Sequence, residues 1–193
     1  MTVSTIRTLP PLGPDDFLRH PALQGERYEL SEGRVVMMTG ASKAHREIAG
    51  SLFIRLFGLF DKRRFHVAVA ELAVRVGQSV RYPDVVVDVQ SDDPKGLTAV
   101  APVLIAEVLS PSTLATDFGA KVREYTGLPS LLTYLVLSQD EPRAWVWRRG
   151  ENGAFPDEPE MLEGRDAVVP LPALDGATLP LAEVYPEADP SSP

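Results

Sequence analysis

Ile48, Leu52, Leu56 and Leu59 recur at helical spacing between residues 43 and 61, with Lys43, Glu47 and Arg55 off that stripe. The pattern predicts an amphipathic helix with one face on a core, and Ser42 stands where an N-cap belongs. Other apolar runs are shorter. Residues 65–76 (FHVAVAELAVRV) predict one strand, followed by a turn at Gly77-Gln78-Ser79. The next run, Pro83 to Val89, holds four valines and predicts a strand buried on at least one face. A polar loop (SDDPKG) leads to another strand, Val103 to Leu109. Earlier in the chain, YELSEGRVVMM reads as a β-hairpin with Gly33 supplying the turn conformation. Residues 14–20 predict a short helix with Pro14 early and acids in its first turn.

Ser110-Pro111-Ser112-Thr113 ends the 103–109 strand and offers a helix cap. The helix it starts is expected from about 114 to 126, with Phe118, Val122 and Tyr125 on the core side and Pro129 closing it. Leu131–Leu137 and Arg143–Arg148 predict two more strands. Beyond them proline and glycine dominate, with short apolar patches such as LPLAEVY. Strands mixed with helices give an α/β class, a mixed sheet flanked by helices behind an N-terminal β-hairpin. No internal repeat occurs, and 193 residues suit one domain, with residues 1–13 and 187–193 as flexible arms.

Composition narrows the chemistry. Hydrophobic residues make up 44%, enough for a core without staples, and cysteine is absent, which excludes disulfides, thiolate metal sites and a cysteine nucleophile. No run is apolar enough to span a bilayer and the first residues lack a signal-like core, so the expected location is the cytoplasm, with no membrane. The net charge is −8. Phosphate binding rests on cations, so this balance argues against tight nonspecific DNA binding. Bound divalent metal would relieve the repulsion of acids near phosphate, and Lys62-Arg63-Arg64 is a local basic cluster. Walker loops, GxGxxG fingerprints and GxSxG elbows do not occur.

Asp84 and Glu107 each interrupt an apolar strand. A carboxylate there needs a partner if buried. Two readings stand: each is a strand-end acid facing solvent, or the two share a hard cation such as Mg²⁺ between adjacent strands. Asp117, Lys121 and Tyr125 lie at successive i, i+4 positions. Lys121 is then either half of an exposed pair with Asp117 or a cation that stabilises a transition state. His45, in the first turn of the long helix, suits capping or packing better than metal ligation, and Glu29 and Glu71 are weaker strand candidates.

These residues also carry a resemblance. Tyr28-Glu29-Leu30-Ser31-Glu32-Gly33, His45, Tyr82-Pro83-Asp84-Val85, Ala106-Glu107-Val108-Leu109-Ser110-Pro111-Ser112-Thr113 and the Asp117, Lys121, Tyr125 series occur in that order. In this the chain resembles the Uma family of bacterial restriction-endonuclease-like proteins, in the PD-(D/E)XK superfamily, from about Phe17 to Tyr185. The resemblance implies a restriction-endonuclease-like fold and a Mg²⁺- or Mn²⁺-dependent endonuclease acting on DNA, with Asp84 and Glu107 as metal ligands. The superfamily's usual lysine position is Leu109 here, so Lys121 would replace it from the helix. Leu135 and Ser138 depart from the family's Tyr-Trp-x-Val-Asp strand. Two further expectations stay open: a homodimer presenting two sites to a duplex, and a catalytically idle binding or interaction module on the same fold.

Overall fold

In the computed structural model of the chain, residues 10–23, 28–38, 40–109 and 114–185 are described. Helix α1 (Pro14–Arg19) carries Pro14 at its start, Asp15 and Asp16 in its first turn, and buries Phe17. Strands β1 (Tyr28–Ser31) and β2 (Arg34–Met37) form the expected hairpin. Its two-residue loop holds both Glu32 (φ 48°) and Gly33 (φ 81°) in the left-handed region, which tight hairpins of this kind require. Helix α2 (Lys43–Leu59) buries Ile48, Leu52 and Leu56, and its N-cap Ser42 accepts the His45 backbone N–H at 3.1 Å.

The main sheet contains β3 (Phe65–Val69), β6 (Val85–Val89), β7 (Pro102–Leu109), β8 (Thr133–Ser138), β9 (Arg143–Arg148) and β10 (Glu160–Glu163), in spatial order β10-β9-β8-β7-β6-β3. Only the β7–β8 pair is parallel. Its crossover carries α3 (Leu114–Asp117) and α4 (Ala120–Thr126). Parallel neighbours need such a connection, which is why helices follow β7 directly. Two smaller strands, β4 (Val74–Val76) and β5 (Ser79–Arg81), join the hairpin in a second sheet ordered β2-β1-β5-β4, and β11 (Val168–Leu171) pairs with β12 (Ala177–Pro180). The α/β class, the mixed sheet flanked by helices and the N-terminal hairpin agree with the sequence expectation. No helix among the described residues is long and apolar enough to cross a membrane.

Strand β7 is buried at every position. Leu104, Ala106 and Val108 face the core that α2 covers, while Ile105 and Leu109 face a second core with Tyr125, Tyr134 and Trp147. Alternation along a strand puts Glu107 on the second face, under α4.

Several boundaries differ from expectation. The 65–76 run is two strands in two sheets, because Ala70 (φ 53°) turns the chain and its N–H is taken by the Asp84 carbonyl. Gly77 and Gln78 close a β4–β5 hairpin, so Ser79 lies in a strand. The 114–126 helix is interrupted at Phe118-Gly119, where Gly119 (φ −117°, ψ −94°) leaves helical geometry. The proline-rich tail holds β10, β11 and β12. The expected flexible arm is held from Leu12 onward, where the Leu12 N–H donates to the Gly33 carbonyl at 2.9 Å. The expected flexibility of 1–9 and 187–193, and the cap at Ser110–Thr113, lie outside the described residues.

Candidate active site

Asp84 immediately precedes β6, and Val85 pairs with Ala106 of antiparallel β7. The next step of that register brings Asp84 opposite Glu107. The Asp84 side chain ends the ladder itself: Oδ2 accepts the Val108 N–H at 2.8 Å, and Oδ1 lies 2.9 Å from His45 Nε2. The two strand acids are therefore neighbours at one end of the main sheet. His45 reaches Asp84 because Ser42 fixes the first turn of α2 beside it.

Lys121 is buried, not on the surface. Its Nζ donates to Glu107 Oε1 at 2.8 Å and lies 3.1 Å from Asp117 Oδ1 and 3.9 Å from Glu29 Oε1. Tyr125 OH donates to the same Glu107 oxygen at 3.0 Å. Asp117 is buried, and its Oδ1 contact with the ammonium is an ion pair without a directed hydrogen bond. Burial alone would push the Lys121 ammonium down, but Glu107, Glu29 and Asp117 outweigh it and hold the group above its ordinary range. For Glu107, burial pushes the carboxyl up to about 8; Lys121 opposes this, while Asp84, Asp117 and Glu29 add to it. Above Tyr125, Tyr134 packs edge-on against it and stacks on Trp147, and Tyr134 OH donates to the Asp117 carbonyl at 3.1 Å.

Glu29 joins the group from β1, and with it come residues that sequence reasoning missed. Arg81 is 2% exposed and donates to Glu29 Oε2 (3.1 Å), to Ser31 Oγ (3.0 Å) and to both oxygens of Glu124 (2.7 and 2.9 Å). Burial opposes the charge of Arg81, but Glu124 and Glu29 more than offset it. The available signal was slight: Arg81 alternates with Ser79 along β5, and Glu124 follows Lys121 by three positions.

Two candidates fall outside the cluster. Glu71 is exposed in the bend after Ala70, so it is not on a strand and touches none of these groups among the contacts seen. The Lys62-Arg63-Arg64 cluster sits past the C-terminal end of α2, a 17-residue helix about 25 Å long, whose other end holds His45. Arg63 pairs with Asp61, Arg64 with Asp175, and Lys62 lies over Phe57. This cluster therefore does not lie beside the acids, and two of its three cations are paired.

A sequence profile of the Uma2 family, described as "Putative restriction endonuclease", matches residues 14–182. The chain belongs to the Uma2 family. Among relatives of this Uma2 chain, the uncharacterized protein slr1290 of Synechocystis sp. (strain ATCC 27184 / PCC 6803 / Kazusa) is 31% identical over 147 residues, 75% of this chain and 77% of the relative. The uncharacterized protein sll1609 of the same strain is 28% identical over 129 residues, 64% of this chain and 73% of the relative. Among solved structures, a protein of Anabaena variabilis ATCC 29413, described as a putative nuclease belonging to DUF820, superposes with a TM-score of 0.70 at 21% identity. The match covers 91% of this chain and 98% of that one, and it is a likeness of fold.

The donor set of the Uma2 chain suits a hard divalent ion. Among the described residues no three His, Cys, Asp or Glu side chains are close enough to hold a metal by themselves. Mg²⁺ ordinarily needs only one or two carboxylates, filling its other positions with water and phosphate oxygens. Charge points the same way. Glu29, Asp84, Glu107, Asp117 and Glu124 surround two permanent cations, Lys121 and Arg81. With every acid ionised, these five carboxylates outnumber the two cations by three. Asp84 and Glu107 are the neighbouring strand carboxylates that could hold such an ion.

Proposed function

We propose that this Uma2 chain is a metal-dependent nuclease that hydrolyses phosphodiester bonds in DNA, with Mg²⁺ or Mn²⁺ held by Asp84 and Glu107. The observation that carries the reading is the convergence of two strand carboxylates with a buried ammonium, Lys121 Nζ standing 2.8 Å from Glu107. When bound, the ion supplies Lewis-acid polarisation of the phosphate and activation of water.

The protein groups divide the remaining work. His45 and the Val108 N–H fix the two oxygens of Asp84. Tyr125 donates to Glu107 and orients it. Lys121, fixed by Glu107 and Asp117, offers a positive charge against the charge that develops on a phosphate during hydrolysis. It comes from α4 because the strand position two after Glu107 is Leu109, which is apolar and largely buried. Tyr134 and Asp117 act one step back, tying the α3–α4 break to β8.

The test is cleavage of duplex DNA, single-stranded DNA and RNA by the purified chain in Mg²⁺ or Mn²⁺. Lys121→Ala should remove cleavage while leaving ion-dependent thermal stabilisation in place, because lysine is not a ligand. Asp84→Ala and Glu107→Ala should lose both. Lys121→Ala with wild-type cleavage would overturn the role given to lysine. One observation favours a second reading, an idle binding module: the basic Lys62–Arg64 run is far from the acids, and its two arginines are paired with Asp61 and Asp175. Nucleic-acid binding without cleavage in either ion would decide for that reading.

A further inference from the structure

The Glu29–Arg81–Glu124 cluster takes no step in the chemistry above, yet Arg81 and Glu29 are buried and Glu124 is half-buried. A buried guanidinium is costly unless its donors are used, and four hydrogen bonds use four of the five donors of Arg81. Glu124, clamped from two directions, also accepts from Ser79 Oγ at 2.8 Å, and Ser79 Oγ accepts the Glu32 N–H at 3.1 Å. Glu29 is fixed at both oxygens: Oε2 by Arg81, and Oε1 by the Tyr82 N–H at 3.2 Å. That second oxygen faces Lys121 Nζ at 3.9 Å. Glu124 and Lys121 both stand on α4. The hairpin sheet therefore grips the helix that carries Lys121 and also presents a fixed carboxylate to its ammonium.

Apolar side chains of similar volume often hold such elements together as well as buried ion pairs do. What they would not supply is a fixed negative charge beside Lys121. Glu107 cannot be the sole anchor of that ammonium if it also serves as an ion ligand, because its charge is then shared. Asp117, on the helical side, and Glu29, on the hairpin side, both lie outside the Asp84–Glu107 pair, so both hold Lys121 through ion binding. We infer that Glu29 is a positioning residue for Lys121, and that Arg81, braced against Glu124, is what fixes Glu29. The inference rests on the nuclease reading for what Lys121 does, but not for where it is held.

Glu29→Gln is the decisive variant. It is nearly isosteric and removes the charge facing Lys121, while its one amide oxygen keeps an acceptor for either Arg81 or the Tyr82 N–H. Two quantities are read: kcat and KM on a short DNA duplex in Mg²⁺, and the ¹⁵N–¹H signal of the Lys121 ammonium, assigned by its loss in Lys121→Arg. Misplacement of a reacting group by about 1 Å costs up to about 100-fold, so kcat should fall about 10- to 100-fold with KM and the Mg²⁺ midpoint unchanged. The ammonium signal should broaden or vanish through faster exchange with water. Arg81→Met should do the same. If Arg81→Met does not fold, Glu29→Gln decides alone, since it is nearly isosteric and leaves the Arg81–Glu124 and Arg81–Ser31 hydrogen bonds in place. Wild-type kcat in Glu29→Gln, or a fall in kcat with an unchanged ammonium signal, overturns the inference. A wild-type chain inactive on every nucleic acid would sink the nuclease reading instead. The ammonium signal would then decide the anchoring by itself: lost in Glu29→Gln it stands, and unchanged it falls.

Discussion

Ionisation of Glu107 should be visible in folding stability, and Glu107→Gln isolates it. In the folded chain, burial pushes this carboxyl from its ordinary 4.5 to about 8 against the opposing pull of Lys121. In the unfolded chain it ionises near its ordinary value. Between those two values the folded state binds more protons than the unfolded state, so stability falls as pH rises. The contribution of Glu107 is present in full below about 4.5 and is lost by about 8. One group gives a slope of at most about 1.4 kcal/mol per pH unit, so the loss across the window is on the order of 3–5 kcal/mol. The glutamine variant cannot ionise. Its carboxamide still offers an acceptor to Lys121 and Tyr125, and Lys121 keeps Asp117 at 3.1 Å and Glu29 at 3.9 Å. Urea unfolding of both proteins in metal-free buffer, from about pH 5 to about pH 9, measures the difference, with equal m-values as the condition for comparing them. Wild type should lose several kcal/mol relative to Glu107→Gln as pH rises. Parallel curves would refute the reasoning, because they would mean that Lys121 keeps Glu107 ionised throughout.

Mg²⁺ or Mn²⁺ should raise the melting temperature, with a native-state ion at about 100 times its dissociation constant adding about 2.7 kcal/mol. Asp84→Ala should abolish that shift, and a full shift in that variant would put the ion elsewhere. Ser42→Ala removes the cap of α2, where Ser42 Oγ accepts the His45 N–H, and should cost about 1 kcal/mol in urea unfolding. A loss below a few tenths would mean that the α2 start is held by packing and not by its cap.

Some of this site was legible in one dimension because burial leaves a compositional trace. Valine-rich strands interrupted by Asp84 and Glu107 could only be adjacent or solvent-edged, and adjacency is what the β6–β7 ladder has. The i, i+4 series at Asp117, Lys121 and Tyr125 gave a shared side but not its depth. Spacing alone does not tell a solvated helix face from one pressed on a sheet, and the Gly119 break within that series leaves no periodic signature. Ala70 is equally silent: an alanine at φ 53° reads as strand until the Asp84 carbonyl is seen to take its N–H. Arg81 was missed for a different reason. Its partners Glu29 and Glu124 lie 52 and 43 residues away, and pairing across such separations is decided by sheet order, which the alternation of a three-residue strand cannot specify. The basic run at 62–64 was legible as charge, but its distance from the acids follows only from the length of α2.

The net charge of −8 looked like an objection to a phosphodiester substrate, and the arrangement of the acids changes its weight. Five of the 27 acidic residues gather around Lys121 and Arg81. Carboxylates of one sign do not share a low-dielectric space without a compensating cation or proton. In this cluster a proton is drawn to Glu107, whose carboxyl is pushed up to about 8. A divalent ion would answer the same demand while creating positive charge where a phosphate needs it. The acids nearest the site therefore do not count against an anionic substrate in the way surface acids do. If Asp84 and Glu107 hold that ion, the proton that burial draws to Glu107 must leave first, so ion binding should strengthen as pH rises toward about 8.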